Sequence, residues 1–478
     1  MYPELSMLID GETITASGRR REPVVNPATE QTLGFLPYAT AADLDRALES
    51  GQRAFADWKN VPARNRAAIL KRGAELMRNR IDAIARVLTL EEGKTFAEAR
   101  SEVAVSADVI EWYAEEARRA YGRVVPGATP GMRQLVVLEP VGVALAITPW
   151  NFPALTPCRK IGGALAAGCS LILKASEETP GTVVEIARAL YDAGLPPGVL
   201  NLVFGHPAAV SAHLLSSRIV RKLSFTGSVP IGKQLLASTA ANLQRTTLEL
   251  GGHAPVLVFD DVDVERVAGV LALGKFRNAG QICISPTRFY VHERVFESFV
   301  AHFTARVRSL RLGDGLAEGT GMGPLANARR QAAMEGFVDD ATTRGARVCS
   351  GGRREPGSGY FFQPTVLTDP PDDSKVMTQE PFGPVVPITR FRTLDEVIQR
   401  ANSLPMGLAA YAFTAGNETA LAAGELLKAG MVGVNTLSVS SPETPFGGVR
   451  ESGYGQEGGI EGMQAYLDVK FIAHARAP

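Results

Sequence analysis

The segment Phe276-Arg277-Asn278-Ala279-Gly280-Gln281-Ile282-Cys283-Ile284-Ser285, near the middle of the 478-residue chain, sets one cysteine just after an Asn-x-Gly turn signal. Gly280 admits backbone angles closed to other residues, so a tight loop can aim a following side chain into a cleft. A thiol is the most nucleophilic neutral side chain near pH 7, and more so once its pKa is lowered. Taken alone, a cysteine between two isoleucines reads as buried core. Its company changes that reading. Glu249 stands in Leu248-Glu249-Leu250-Gly251-Gly252, a carboxylate among apolar residues and glycines. A nucleophile and a carboxylate base, each on a glycine-marked loop, suggest covalent catalysis.

The pair Glu249-Leu-Gly-Gly and Gly280-Gln-Ile-Cys283 resembles the aldehyde dehydrogenase superfamily, with further matches from about Val25 to Lys470. The resemblance implies an NAD(P)-dependent enzyme in which Cys283 attacks an aldehyde and Glu249 activates the water that later hydrolyses the thioester. Thr148-Pro149-Trp150-Asn151-Phe152-Pro153 follows an apolar run, Val141–Ile147. Prolines pin this backbone, and Asn151 presents an amide at a strand's carboxyl end, where α/β sheets bind ligands. By itself Asn151 reads as a turn residue serving local backbone. With the family motif beside it, its side chain and the Cys283 N–H become donors to the oxyanion of a thiohemiacetal. Lys160 matches a lysine that the family keeps near the catalytic cleft; by itself it reads as a surface charge.

The same resemblance assigns the cofactor residues. Thr148, Pro149 and Trp150 would line the dinucleotide site together with Leu250. Lys174 and Glu177, around Ser176, would hold the adenosine ribose, and a carboxylate there repels a 2′-phosphate, which favours NAD while leaving NADP possible. Ala175 stands where the family often has proline. No GxGxxG occurs, and the shorter form Gly227-Ser228-x-x-x-Gly232 would place a helix N-terminus on the pyrophosphate. Glu380 and Phe382, in Glu380-Pro-Phe-Gly-Pro384, resemble the nicotinamide-ribose clamp. A solvated glutamate before a turn is the plainer reading.

Arg159 and Arg277 flank Asn151 and Cys283 in sequence and match arginines that succinate semialdehyde dehydrogenases use for a distal carboxylate. A guanidinium suits that task because its planar fork binds carboxylate bidentately. Each by itself is a surface or salt-bridge arginine. Ser440 and Ser441 align with a serine completing this anchor, so the expected substrate is succinate semialdehyde or 2-oxoglutarate semialdehyde. Gly251-Gly-His-Ala-Pro255 and Ser285-Pro-Thr-Arg288 look more like the 2-oxoglutarate semialdehyde enzymes. Ser285 stands where some relatives carry a second cysteine for a redox switch, which should be absent here. Three other readings stay open: a general aliphatic or aromatic aldehyde dehydrogenase, a CoA-acylating enzyme, and a non-catalytic binding protein of the same fold. Glu249 argues against CoA acylation, since thiolysis needs no water-activating base. The presence of Cys283, Glu249 and Asn151 together argues against the non-catalytic relative.

The elements that must position these residues follow from pattern and length. A chain of 478 residues calls for two or three domains. Thr40-Ala-Ala-Asp43 is a helix cap, and helical periodicity continues over 69–88. Apolar strands then alternate with helices: Val141–Ile147, Ser170–Lys174, Val199–Phe204, Arg221–Phe225, Thr246–Glu249 and Ala254–Phe259, with helices over Thr182–Ala193 and Ile231–Ala241. Such alternation implies a parallel sheet. A second alternating block follows Cys283, beginning with a strand at Arg288–His292 and a helix over Val295–Leu310. The expected fold class is α/β: a Rossmann-like NAD-binding domain (1–120 and 142–251) and an α/β catalytic domain (252–450). The resemblance adds a small β oligomerisation arm (121–141 and 460–478) that would pair subunits as a homodimer or homotetramer.

Balanced charge, with 50 basic and 50 acidic residues, argues against nucleic acid and anionic membranes as partners. No apolar run is long enough to span a membrane, and the start lacks a signal-peptide pattern. Four cysteines without a CxxC pair fit a reducing cytoplasm, and six scattered histidines give no metal site.

Overall fold

The computed structural model describes residues 2–475. Met1 and residues 476–478, the last positions of the expected arm, lie outside the described residues. Two large sheets carry the chain. The first has eight strands, in the order Glu12–Thr15, Ser6–Ile9, Leu200–Val203, Ser170–Lys174, Val143–Ile147, Val220–Thr226, Arg245–Glu249 and Gly453–Tyr454. Its five central strands are parallel. Val143–Ile147 and Ser170–Lys174 are buried at every residue, which explains why they read as unbroken apolar runs rather than alternating ones.

The order of connection locates the ligand crevice. From Val143–Ile147 the chain steps outward through Ser170–Lys174 to Leu200–Val203, then returns to Val220–Thr226 on the other side. The carboxyl ends of Val143–Ile147 and Val220–Thr226 therefore flank a topological switch point, where loops diverge and leave a crevice. Thr148–Asn151 and Gly227–Ser228 leave from those two ends. The helices are bounded as their sequences require. Thr40 and Asp43 form a reciprocal capping box at the start of Ala41–Trp58. Helix Leu155–Ala167 stops at Gly168, whose φ of 99° is open to glycine.

One expectation changes. The periodic run over 69–88 is two helices, Ala63–Asn79 and Ile81–Glu92, parted at Arg80. Arg80 sits at φ −104°, ψ 13°, outside helical values, and its guanidinium pairs with Asp192 at 2.6 Å. The apolar repeat passes over the break because both helices bury one face against the same core.

The second sheet has seven strands, in the order Arg347–Ser350, Thr365–Thr368, Val385–Phe391, Pro286–His292, Ala254–Val258, Ala409–Phe413 and Met431–Val434, over a core of its own. Within the ranges expected for the arm, Arg133–Pro140 and Leu467–His474 pair antiparallel, with Arg123–Pro126 as the third strand. Gly453–Tyr454 crosses back to close the edge of the first sheet against Leu248 and Glu249. No helix among the described residues is long and apolar enough to cross a membrane.

Candidate active site

A cleft of about 950 Å³ opens where the loops of the two sheets meet. Its lining includes Cys283, Glu249 and Asn151, with Pro149, Trp150, Gly227, Ser228, Leu250, Glu380, Phe382, Arg159, Arg277 and Ser440 from the sequence expectations. Thr148, Lys160, Lys174, Ser176, Glu177 and Ser441 stand outside that lining. Ser441 is turned into a local loop, its N–H and hydroxyl both meeting Thr444 Oγ1.

Cys283 arrives by an unusual backbone path. Asn278, Ala279 and Gly280 are all left-handed, at φ 48°, 51° and 72°. Two of these are not glycine, a conformation costing about 1–2 kcal/mol per ordinary residue. At Gly280 a Cβ would lie 2.3 Å from the Gly383 carbonyl oxygen, so only glycine fits. Gly280→Ala is therefore expected to destabilise the protein by about 3 kcal/mol, from strain and overlap together. Urea unfolding checks this, and an unchanged midpoint would contradict it.

The thiol and its neighbouring carboxylates are held in a poorly solvated space. Burial, then the charges of Glu380 and Glu249, push the Cys283 pKa up to about 12, against Arg159 and the residue's own backbone N–H. Glu249 is 2% exposed, and among the described residues neither of its oxygens has a hydrogen-bond partner. Burial, then Glu457, raises its pKa well above the ordinary carboxylate value. Glu380 rises to about 8 through burial, opposed by the Gly252 N–H, Arg330 and Lys275. At neutral pH the thiol is therefore held as S–H, and the two carboxyls keep their protons more tightly than solvated ones do, so either can exchange a proton as charge develops nearby.

Asn151 is fixed from both ends. Its Nδ2 donates to the Gln281 carbonyl at 3.0 Å, two residues from Cys283. Its own carbonyl accepts from Lys94 Nζ at 2.8 Å and from Asn278 Nδ2 at 3.1 Å.

Arg159 departs from its plain sequence reading, whereas Arg277 stays exposed as that reading has it. Arg159 is 5% exposed, makes no ion pair among the described residues, donates from Nη2 to Ser440 Oγ at 2.7 Å and lies 4.1 Å above the Phe446 ring. Its Nη1 is buried without a partner. Arg277 stands 5.8 Å from the Phe152 ring on the same cleft. Lys160 is not a surface charge either. It is fully buried, ion-paired with Glu457 and bonded to Ser224 Oγ at 3.1 Å. It stands behind Glu457, which lines the cleft and faces Glu249 electrostatically.

The donor set suits a dinucleotide. Ser228 is the N-cap residue of helix Val229–Thr239 at the switch point, and its side chain makes no cap bond, which leaves first-turn N–H groups beside the cleft. Gly227 and Gly232 have no room for a Cβ, which would lie 2.5 Å from the Phe225 ring and 2.4 Å from Leu250. Thr148 Oγ1, Thr226 Oγ1 and Glu380 Oε1 are buried polar atoms awaiting partners. Lys174 and Glu177 pair at 2.5 Å at the end of the adjoining strand. Trp150 and Phe382 meet edge to face at 5.6 Å.

Sequence reasoning missed Lys94, Glu102, Asn278, Arg330 and Glu457. Arg330 donates to the carbonyls of Pro381 and Phe382 and so braces the loop that carries Glu380. Nothing in their local sequence separates them from solvated charges; only Gly93-Lys94 and the Asn278 turn carry a hint. Among the described residues no cluster of metal-ligating side chains occurs.

The chain matches the model of the aldehyde dehydrogenase family over residues 14–472. It is 50% identical over 470 residues to 4-(hydroxymethyl)benzenesulfonate dehydrogenase TsaD1 of Comamonas testosteroni, covering 98% of each chain. It is 43% identical to succinate-semialdehyde dehydrogenase [NADP(+)] GabD of Escherichia coli, covering 97% of this chain and 96% of that one. A crystal structure of succinate-semialdehyde dehydrogenase from Burkholderia pseudomallei superposes with a TM-score of 0.97, at 42% identity and 98% coverage of both chains.

Proposed function

The chain belongs to the aldehyde dehydrogenase family, and on that footing we propose that it oxidises an aldehyde bearing a distal anionic group to the corresponding acid. The observation that carries this reading is Arg159: a buried guanidinium with a free Nη1, on the cleft that also holds Cys283. Among the described residues this guanidinium has no direct ion-pair partner, and a buried cation left so is costly unless a ligand supplies one. Ser440 fixes its other end, and Arg277 adds positive charge at the mouth.

In the proposed reaction the Cys283 thiol releases its proton to solvent, and Sγ bonds to the aldehyde carbon as the carbonyl π pair moves to oxygen, giving a thiohemiacetal oxyanion. The Asn151 side chain, released from the Gln281 carbonyl, and the Cys283 N–H hold this oxyanion. Thr148, Pro149, Trp150, Leu250, Gly227, Ser228, Lys174, Ser176, Glu177, Glu380 and Phe382 would hold the dinucleotide, which supplies the hydride acceptor. Glu249, with both oxygens unpaired, takes a proton from the water that cleaves the resulting thioester, and Lys160 with Glu457 stands behind it. The Glu177 carboxylate favours NAD over NADP.

Succinate semialdehyde and 2-oxoglutarate semialdehyde are the carboxylate substrates that fit the anchor. The 50% identity to a 4-(hydroxymethyl)benzenesulfonate dehydrogenase supports a second reading, in which the anion is an aryl sulfonate. A homodimer or homotetramer is supported by Val124, Val469 and Phe471, which stay 72%, 69% and 58% exposed on the three-stranded arm. Four unpaired cysteines suit a reducing, cytoplasmic setting.

The test compares initial reduction of NAD and NADP with succinate, 2-oxoglutarate and glutarate semialdehydes, 4-formylbenzenesulfonate, butanal and benzaldehyde. Anionic aldehydes are expected to lead neutral ones by about a hundredfold in kcat/KM, or about 2.7 kcal/mol. Arg159→Met is expected to remove that lead while leaving butanal oxidation within about threefold. Equal rates for butanal and the anionic aldehydes would overturn the anchor and leave a general aldehyde dehydrogenase.

A further inference from the structure

We propose that Lys94, with Glu102 as its counter-ion, is a positioning residue that sets the oxyanion donor Asn151 against the thiol. The proposal rests on the reading of Asn151 given above. Lys94 sits in the three-residue link between helices Ile81–Glu92 and Phe96–Glu116, just after Gly93 at φ 100°. Its side chain is 1% exposed. Nζ meets Glu102 Oε2 at 2.6 Å and the Asn151 carbonyl at 2.8 Å, and lies 4.0 Å above the Phe152 ring. Glu92 completes the surroundings at 3.9 Å.

The geometry reaches both arms of the site through one atom. The Asn151 carbonyl oxygen takes two donors, Lys94 Nζ and Asn278 Nδ2. Asn278 belongs to the left-handed run that delivers Cys283, and its N–H is held by Glu98 Oε1 at 2.9 Å. Glu102 Oε1 accepts the N–H groups of Ala154 and Leu155, at 2.9 and 3.2 Å, where helix Leu155–Ala167 begins. Lys94 and Glu102 thus fix the peptide following Asn151 from one side, while Asn278 ties it to the nucleophile loop from the other. Rotating that peptide would swing the Asn151 amide away from Cys283.

A plain structural role would need none of this. Holding the helix Phe96–Glu116 in place could be done by apolar packing, at no cost of burying an ammonium and a carboxylate. The pair instead ends on the backbone of Asn151, the expected donor, and of Ala154 and Leu155 just after it. Misplacing a reacting group by about 1 Å costs on the order of a hundredfold in rate.

The experiment is a cycle of Lys94→Met, Asn151→Ala and the double variant in the full-length protein, reading the pre-steady-state burst of NADH with succinate semialdehyde. The melting temperature, the KM and the dinucleotide Kd from tryptophan fluorescence are measured alongside. Lys94→Met is expected to lower the burst rate about tenfold to a hundredfold, with KM and Kd within about twofold. In the Asn151→Ala background the same change is expected to cost less than about threefold, because there is no longer a donor to misplace. Equal loss in both backgrounds would reduce Lys94 to a packing role and overturn the proposal. A wild-type burst in Asn151→Ala alone would instead remove the reading of Asn151. If Lys94→Met fails to fold, Glu102→Gln serves: it still accepts the Ala154 N–H, and a wild-type burst there overturns the proposal.

Discussion

Replacing Cys283 by alanine is expected to lower aldehyde oxidation by on the order of 10⁵-fold or more, the scale seen when a covalent nucleophile is removed. Dinucleotide binding should persist within about twofold, because Cys283 contributes to the cleft wall and not to the helix N-terminus, threonines and glutamate expected to hold that ligand. Trp150, in edge contact with Phe382 on the cleft, supplies a fluorescence signal for the binding measurement. A protein that binds and does not turn over meets the expectation; turnover within tenfold of the parent would remove Cys283 as the nucleophile. Its pH behaviour follows from its surroundings. A thiol pushed up to about 12 by burial, Glu380 and Glu249 is neutral at pH 7. The thiolate fraction then rises about tenfold per pH unit throughout the range 6–9. Alkylation of the free protein by iodoacetamide should follow that slope and run slower than free cysteine at every pH. A plateau near pH 8 would show that Arg159 outweighs burial and the two carboxylates.

The parts of the molecule legible in the sequence are those whose signal is local. Val143–Ile147 and Ser170–Lys174 could be seen because a strand covered on both faces must be apolar throughout. The capping box at Thr40 and Asp43 could be seen because both partners lie within one turn. Cys283, Glu249 and Asn151 came through motif resemblance, and they share one cleft. What the sequence concealed is charge taken out of water by residues far along the chain. Lys160 reads as a surface lysine until Glu457 and Ser224 are brought to it. Arg159 reads as a salt bridge until its guanidinium is found on Ser440 with Nη1 unbonded among the described residues. Lys94 acquires meaning only through the carbonyl of Asn151. Left-handed Ala279 could not be read either, since glycine and, to a lesser degree, asparagine advertise that conformation by type. Arg80 shows the converse failure: a smooth apolar repeat continued over a break, because burial of one face does not record helix axis.

Replacing Glu249 by glutamine is expected to separate the two halves of the reaction. Acylation of Cys283 should proceed, giving a burst of NADH equal to the sites present, followed by a steady state lowered about 10²–10³-fold for want of a general base. The substitution suits this purpose because neither carboxylate oxygen makes a hydrogen bond that glutamine would break, and the volume is unchanged. Burial and the neighbouring Glu457 raise the Glu249 pKa well above the ordinary carboxylate value. A base works only when deprotonated, so the parent's steady-state rate should climb with pH through that raised pKa. The variant should lose this limb and show a flat steady state over the same range. Lys160, which opposes the rise in the parent, fixes where the limb falls. Replacing Lys160 by methionine should therefore move the limb to higher pH, while Glu249→Gln abolishes it. Adding coenzyme A distinguishes the remaining alternative: faster release with formation of an acyl thioester would mean thiolysis in place of hydrolysis. A Glu249→Gln protein whose steady-state rate and pH profile match the parent would place the water-activating base elsewhere. Glu380, raised to about 8 and also on the cleft, would then be the carboxyl to test.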